Sequence, residues 1–66
     1  MSPVKRFMSH NPTLLASFGG YNLYEHPILG DEAPIAMITP SGILYNTGFF
    51  DLDDFDLELC KEIERG

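Results

Sequence analysis

The sequence predicts a small α+β domain, in which an antiparallel meander of about three strands is covered by a C-terminal α-helix. Three observations lead to this prediction. Short apolar runs alternate with glycine- and proline-containing turn signals, one such turn joins two apolar runs closely, and the last segment has apolar residues at helical spacing. A chain of 66 residues has room for one core, so residues 1–66 are treated as a single domain.

The N-terminal part leaves two interpretations open. Residues 1–10 are polar and are expected to be loosely ordered. Asn11-Pro12 then suits a helix start, because asparagine is a good N-cap and proline fits the first helical position. A short N-terminal helix that ends before Gly19 is the preferred interpretation. The alternative is a strand over residues 13–18 that returns through a Gly19-Gly20 hairpin turn.

Residues 21–26 and 34–39 are predicted to be strands. The first is rich in aromatic residues and alternates in polarity, and Pro27 ends its ladder because proline has no N–H to donate. Residues 28–33 are predicted to form a loop, with a turn signal at Gly30-Asp31. The second strand is apolar on both faces, which is typical of a central or covered strand.

The clearest hairpin signal is the turn Thr39-Pro40-Ser41-Gly42, whose proline and glycine occupy favoured positions of a type I turn. Residues 43–50 then return as a third strand, in which Gly48 marks a bulge. Because these connections are short, we expect neighbouring strands to pair in antiparallel fashion.

The C-terminal helix is predicted within residues 49–66. Its apolar residues fall three, four and four positions apart and would form one stripe against the sheet: Leu52, Phe55, Leu59 and Ile63, with Cys60 at the border. Each of three aspartates can serve as its N-cap: Asp51, Asp53 and Asp54. Residues 55–60 also alternate like a strand, but aspartate is disfavoured in strands and the stripe continues beyond them, so a helix is preferred.

Charge is distributed unevenly along the chain. The net charge is −6, and all four basic residues lie near the ends: Lys5, Arg6, Lys61 and Arg65. Residues 7–60 contain eight carboxylates and no lysine or arginine, and five of the eight positions in residues 51–58 are acidic. A surface of one sign steers partners of the opposite sign, which suggests binding to a basic surface. The alternative is that the acidity only keeps the protein soluble.

We therefore predict an acidic partner-binding face. Asp54, Glu58 and Glu62 are four positions apart and would lie in one row on a helix. With neighbouring and loop acids they make up the predicted partner-binding set: Asp31, Glu32, Asp51, Asp53, Asp54, Asp56, Glu58 and Glu62. The structural alternative is helix capping plus pairing of Glu58 with Lys61 and of Glu62 with Arg65.

Neither a metal nor a cofactor is predicted. The acidic segment lacks the spacing of an EF-hand, because Phe55 and Asp56 stand where that loop needs an oxygen ligand and a glycine. The single cysteine, Cys60, cannot form an intramolecular disulfide and is expected to behave as a small buried side chain.

Catalysis is not predicted either. Ser9-His10 and Glu25-His26 are neighbours in sequence only, and so short a chain has little volume for a catalytic pocket. Aromatic side chains could stack on single-stranded nucleic acid, but such platforms come with a positively charged groove, so a core role is preferred for Tyr21, Tyr24, Tyr45, Phe49 and Phe50.

In size and charge the chain resembles the small acidic proteins encoded by phages and mobile elements, including anti-CRISPR and other DNA-mimic inhibitors. The basic-free span of residues 7–60 and the lack of a catalytic constellation carry this resemblance. It implies a protein that binds and blocks a basic nucleic-acid-binding protein of the host, without itself contacting nucleic acid or membrane. The alternative is a non-enzymatic structural or adaptor protein, either a monomer or a homodimer.

The expected location is the cytoplasm. Lys5 and Arg6 are followed by no apolar run of the length that a signal peptide requires, and no stretch of the sequence is long and apolar enough to span a membrane. If the protein is encoded by a phage, this location is the cytoplasm of the host cell.

Overall fold

The structure, a computed structural model, describes the backbone of residues 2–65 and the side chains of residues 2–62. Within these residues two helices and four strands follow one another along the chain: α1 (Pro3–Met8), β1 (Leu14–Phe18), β2 (Tyr21–Tyr24), β3 (Ala36–Ile38), β4 (Leu44–Asn46) and α2 (Leu57–Arg65). The predicted α+β class is confirmed, with four strands instead of about three. None of the helices described here is long and apolar enough to cross a membrane.

The N-terminal helix lies earlier in the chain than predicted. Ser2 caps α1 by accepting a hydrogen bond from the Lys5 N–H, and Pro3 occupies the first turn. The predicted helix start at Asn11 is wrong: Asn11 has a φ of 56°, in the left-handed region, and the chain turns there into β1. Strand β1 corresponds to the alternative interpretation, since Gly19 and Gly20 both adopt positive φ and let β1 pair back onto β2.

The strands form one antiparallel sheet in the order β1-β2-β3-β4. The register places Leu23 opposite Met37 and Met37 opposite Tyr45, so these three side chains share one face, which we call the inner face. The register of β1 shifts between Leu14 and Ala16, as in a β-bulge. The predicted hairpin at residues 39–42 is confirmed, because the Gly42 N–H donates to the Thr39 carbonyl at 2.9 Å.

The core lies between the inner face and the C-terminal segment. Its buried members are Leu23, Ile35, Met37 and Cys60, the last contributed by α2. Phe55 packs beside them, 6.2 Å from the Phe18 ring and 5.8 Å from the Phe49 ring by their centroids. On the outer face, α1 packs Phe7 edge-on against Tyr24 at 5.8 Å.

Helix α2 differs from the predicted stripe. It begins at Leu57, and its N-cap is Asp56, whose Oδ1 accepts from the Leu59 N–H at 3.2 Å. Leu52 and Leu59 are 42% and 44% exposed, whereas Leu57 and Cys60 face the core. The residues before Leu57 form turns instead of helix, so the predicted stripe is not continuous and the helix buries Leu57 and Cys60 instead of Leu59. The side chain of Ile63 lies outside the described residues.

The connections between the strands lie at two opposite ends of the sheet. The turns β1–β2 and β3–β4 lie at one end, the turn end, where a Cβ at Gly20 would stand 3.1 Å from Pro40 Cγ. The other end, the loop end, carries the start of β1, the β2–β3 loop and the segment after β4, because Tyr24 pairs with both Leu14 and Ala36 and Ala36 pairs with Asn46.

Thr47 fastens the segment after β4 to the start of β3. Its buried hydroxyl donates to the Ile35 carbonyl at 2.8 Å and accepts from the Phe49 N–H at 3.1 Å, and Ile35 N–H donates to the Phe49 carbonyl at 2.7 Å. Gly48, with a φ of 78°, lies in the tight loop between Thr47 and Phe49, beyond the end of β4. The predicted bulge within a strand at Gly48 is thus a loop just after the strand.

Candidate partner-binding cleft

At the loop end, the β2–β3 loop and the segment after β4 enclose a cleft of about 250 Å³. Its apolar lining comes from β1, from the β2–β3 loop and from the segment after β4: Leu15, Ala33, Ile35, Phe50 and Leu52. Four carboxylate residues line the same cleft: Glu25, Asp31, Asp51 and Asp53. We call this feature the acidic cleft.

One side of the acidic cleft is held by the anchoring of Phe49 to Ile35. Beyond this anchor the chain makes two turns, in which the Asp54 N–H donates to the Asp51 carbonyl and the Phe55 N–H to the Leu52 carbonyl, each at 3.2 Å. Asp51 and Asp53 lie within these turns, and Phe50 remains 51% exposed beside them. An apolar side chain and two carboxylates are thus presented together.

The other side is shaped by the loop that follows β2. His26 Nδ1 accepts from the backbone N–H groups of Ile28 and Leu29 at 3.1 and 2.9 Å, and the Gly30 N–H donates to the His26 carbonyl at 3.0 Å. Nδ1 must be unprotonated to accept these bonds. His26 therefore fixes the conformation of the loop through these hydrogen bonds, and Asp31 comes directly after Gly30 in that loop.

Glu25 is a cleft residue that the sequence prediction missed. Its Oε1 lies 3.0 Å from where a Cβ at Gly30 would be, so a side chain larger than hydrogen at position 30 would crowd this carboxylate. Gly30 also has a φ of 61°, which L-residues rarely adopt. The available signal was that Glu25 lies next to the end of the predicted strand of residues 21–26 while Asp31 follows a turn glycine, since a short loop brings its two ends together.

The predicted acidic set divides into two groups. Asp31, Asp51 and Asp53 come together in the acidic cleft, whereas Glu32 and Asp54 are exposed and do not line it. The predicted row of Asp54 with Glu58 and Glu62 is wrong, because Asp54 precedes α2 and so is not in register with them on a helix.

The remaining acids fit the structural alternative better. Asp56 caps α2, and Glu58 Oε1 lies 3.7 Å from Lys61 Nζ. Lys61 also stands 5.4 Å above the Tyr21 ring, so this cation has two partners on its own chain. Glu62 lies on α2 and is exposed, and its expected partner Arg65 has its side chain outside the described residues.

In the part of the chain that the structure describes, no three histidine, cysteine, aspartate or glutamate side chains are grouped so that they could hold a metal ion. The described residues that line the acidic cleft include no serine, cysteine, histidine or lysine. Elsewhere, the Ser9 hydroxyl donates to the Arg6 carbonyl at 2.6 Å, which ties it to the end of α1.

Cys60 is buried, as predicted. Burial raises the pKa of its thiol above the ordinary value, and the negative charge of Asp56 raises it further. A thiol with a raised pKa forms little thiolate at neutral pH and is a poor nucleophile.

The aromatic residues divide into packed and exposed ones. Four belong to the packed interior, as predicted: Tyr21, Tyr24, Tyr45 and Phe49. Phe50 is the exception, because it is half exposed at the rim of the acidic cleft. Exposed aromatic residues are enriched in protein-binding surfaces.

In comparisons with known proteins, no family model, curated protein or solved structure matches this chain.

Proposed function

We propose that this protein is a non-enzymatic binding protein whose acidic cleft takes basic side chains from a partner protein. The observation that carries the proposal is the lining of the cleft: four carboxylates surround an apolar floor, and the described lining holds no basic residue. Lysine and arginine have apolar stems and charged ends, so both parts of such a side chain find a complementary surface here.

Electrostatics support the same proposal. Of the described basic residues, Lys61 is held by Glu58 and Tyr21, while Lys5 and Arg6 lie on α1. The carboxylates of the acidic cleft therefore project a negative field that is not balanced within its lining. Such a field raises the association rate with a positively charged partner, and the effect weakens with added salt.

We further propose that the partner is a basic nucleic-acid-binding protein of a host cell, and that occupation of its arginine and lysine side chains excludes nucleic acid. A DNA-mimic inhibitor of a defence system such as CRISPR-Cas acts in this way. The net charge of −6 and the absence of lysine and arginine from residues 7–60 support it. The mode differs from a helical row of carboxylates, since the acids surround a cleft.

Two double charge reversals test the role of the acidic cleft. Asp51→Lys with Asp53→Lys changes the cleft, while Glu58→Lys with Glu62→Lys makes the same change of net charge on α2. Each protein is immobilised, exposed to bacterial lysate at low and high salt, and any captured protein is assayed for DNA binding.

We expect the wild type and the α2 variant to capture a protein that loses DNA binding on capture, and the cleft variant to bind it about tenfold or more weakly. Equal capture by the two variants would refute the proposal that the acidic cleft binds the partner. A captured protein that keeps its DNA binding, or capture that is independent of salt, would favour the adaptor function instead.

A further inference from the structure

A second groove lies on the outer face of the sheet, between α1, the first half of the β2–β3 loop and the start of β4. It has a volume of about 510 Å³ and is lined by Pro3, Arg6, Phe7, His10, His26, Pro27, Ile28 and Leu44. The described lining holds one arginine, Arg6, and two histidines, and it holds no acidic residue, although the protein carries ten carboxylate side chains. We call this feature the basic groove.

The loop of residues 26–31 separates the basic groove from the acidic cleft. Ile28 lines the groove, Asp31 lines the cleft, and Leu29 lies between them in sequence. Ile28 is 74% exposed and Leu29 is 51% exposed, and Ile28 is the most exposed large hydrophobic residue among those described. Two adjacent apolar side chains in water, with Arg6 on one side and carboxylates on the other, are typical of an interaction surface.

The surface around this loop is complementary in charge to the same surface on a second copy of the chain. In a dimer with two-fold symmetry, the same surface is used by both copies, and a feature on one side of the axis meets the feature on the other side. With the axis near Leu29, the basic groove of each copy would meet the acidic cleft of the other, and Ile28 and Leu29 would be buried at the centre.

The size of the protein gives a second argument for a second copy. Only five hydrophobic residues among those described are buried: Leu23, Tyr24, Ile35, Met37 and Cys60. Chains of this length often gain stability by oligomerisation. A standard interface takes about 800 Å² from each partner, which is under a fifth of the 4431 Å² surface of this chain.

We propose that the protein forms a symmetric homodimer through the loop of residues 26–31, with Arg6 of each copy facing Asp31 of the other. Because such a dimer covers the acidic cleft, a basic partner protein would compete with the second copy for it. It concerns oligomeric state, which is measured on the purified protein.

Exposed isoleucines offer a matched pair of variants. Ile28→Asp places a charge at the centre of the proposed interface, while Ile43→Asp makes the same change at a residue 47% exposed near the turn end. Sedimentation velocity from micromolar to millimolar protein should give twice the chain mass of 7.4 kDa for the wild type and Ile43→Asp, and the single mass for Ile28→Asp. A wild type that stays monomeric throughout, or a dimer that survives Ile28→Asp, overturns the proposal.

A charge exchange tests the pairing across the axis. Arg6→Glu and Asp31→Arg should each weaken self-association at least tenfold, because each puts like charges opposite one another twice. An equimolar mixture of the two variants, or a chain with both changes, restores opposite charges at both contacts and should dimerise again. Lack of rescue, with circular dichroism showing both chains folded, would refute the pairing of Arg6 with Asp31.

Discussion

Replacing Leu23 or Leu59 by alanine distinguishes the core of the sheet from the outer surface of α2. Leu23 is fully buried, whereas Leu59 is 44% exposed. The substitution removes three carbons, worth about 2.4 kcal/mol when they are fully buried. The cavity left at Leu23 adds to this, for a total of about 3–5 kcal/mol. At Leu59, with little over half of the side chain buried and no enclosed cavity, the cost is about 1 kcal/mol.

A domain of this length has roughly 3–5 kcal/mol of stability in total. Leu23→Ala is therefore expected to be largely unfolded at room temperature, while Leu59→Ala remains folded with its Tm lowered by about 4–8 °C. Circular dichroism during thermal and urea denaturation measures both. If Leu59→Ala unfolds the protein or costs as much as Leu23→Ala, the face that α2 buries is not the one described here.

Two further predictions concern the anchors around the cleft. Asp56→Asn keeps a capping oxygen but removes a negative charge that raises the pKa of the Cys60 thiol. Alkylation of Cys60 by iodoacetamide should therefore begin at lower pH in the variant than in the wild type. An identical pH profile for the two proteins would contradict this. Thr47→Val keeps the side-chain shape but leaves the Phe49 N–H without its hydroxyl acceptor. Urea denaturation should show that the free energy of unfolding falls by about 1–3 kcal/mol. A fall smaller than the experimental error would show that this hydrogen bond is dispensable.

The sequence predicted the elements whose signals are local. The turn at residues 39–42 and the strands beside it followed from Pro40 and Gly42 between apolar runs, and the C-terminal helix followed from helical spacing. The strand β1 was left as the alternative, because Asn11-Pro12 is a good helix start when considered alone. Pairing with β2 through Gly19-Gly20 decides in favour of the strand, and that pairing is a tertiary effect.

The acidic cleft was only partly predictable. The carboxylates were visible in the sequence, but their grouping depends on where α2 begins, and several aspartates in succession offered equivalent N-caps. Asp56 takes that role because the preceding residues turn between Phe49 and Phe55, which are both packed on the core. Glu25 and the basic groove were missed, since both depend on contacts between elements that only the folded chain brings together.

The turn end offers a place for chemistry introduced by the experimenter. The acidic cleft and the loop of residues 26–31 lie at the loop end, while Ser41 is exposed in the turn between β3 and β4. Ser41→Cys would give a thiol in water, whereas the native Cys60 is buried and slow to react. A fluorophore or biotin attached by a maleimide should therefore modify position 41 selectively. Molecules tethered in this way to a sensor surface would be held by the turn end, with the loop end toward the solution.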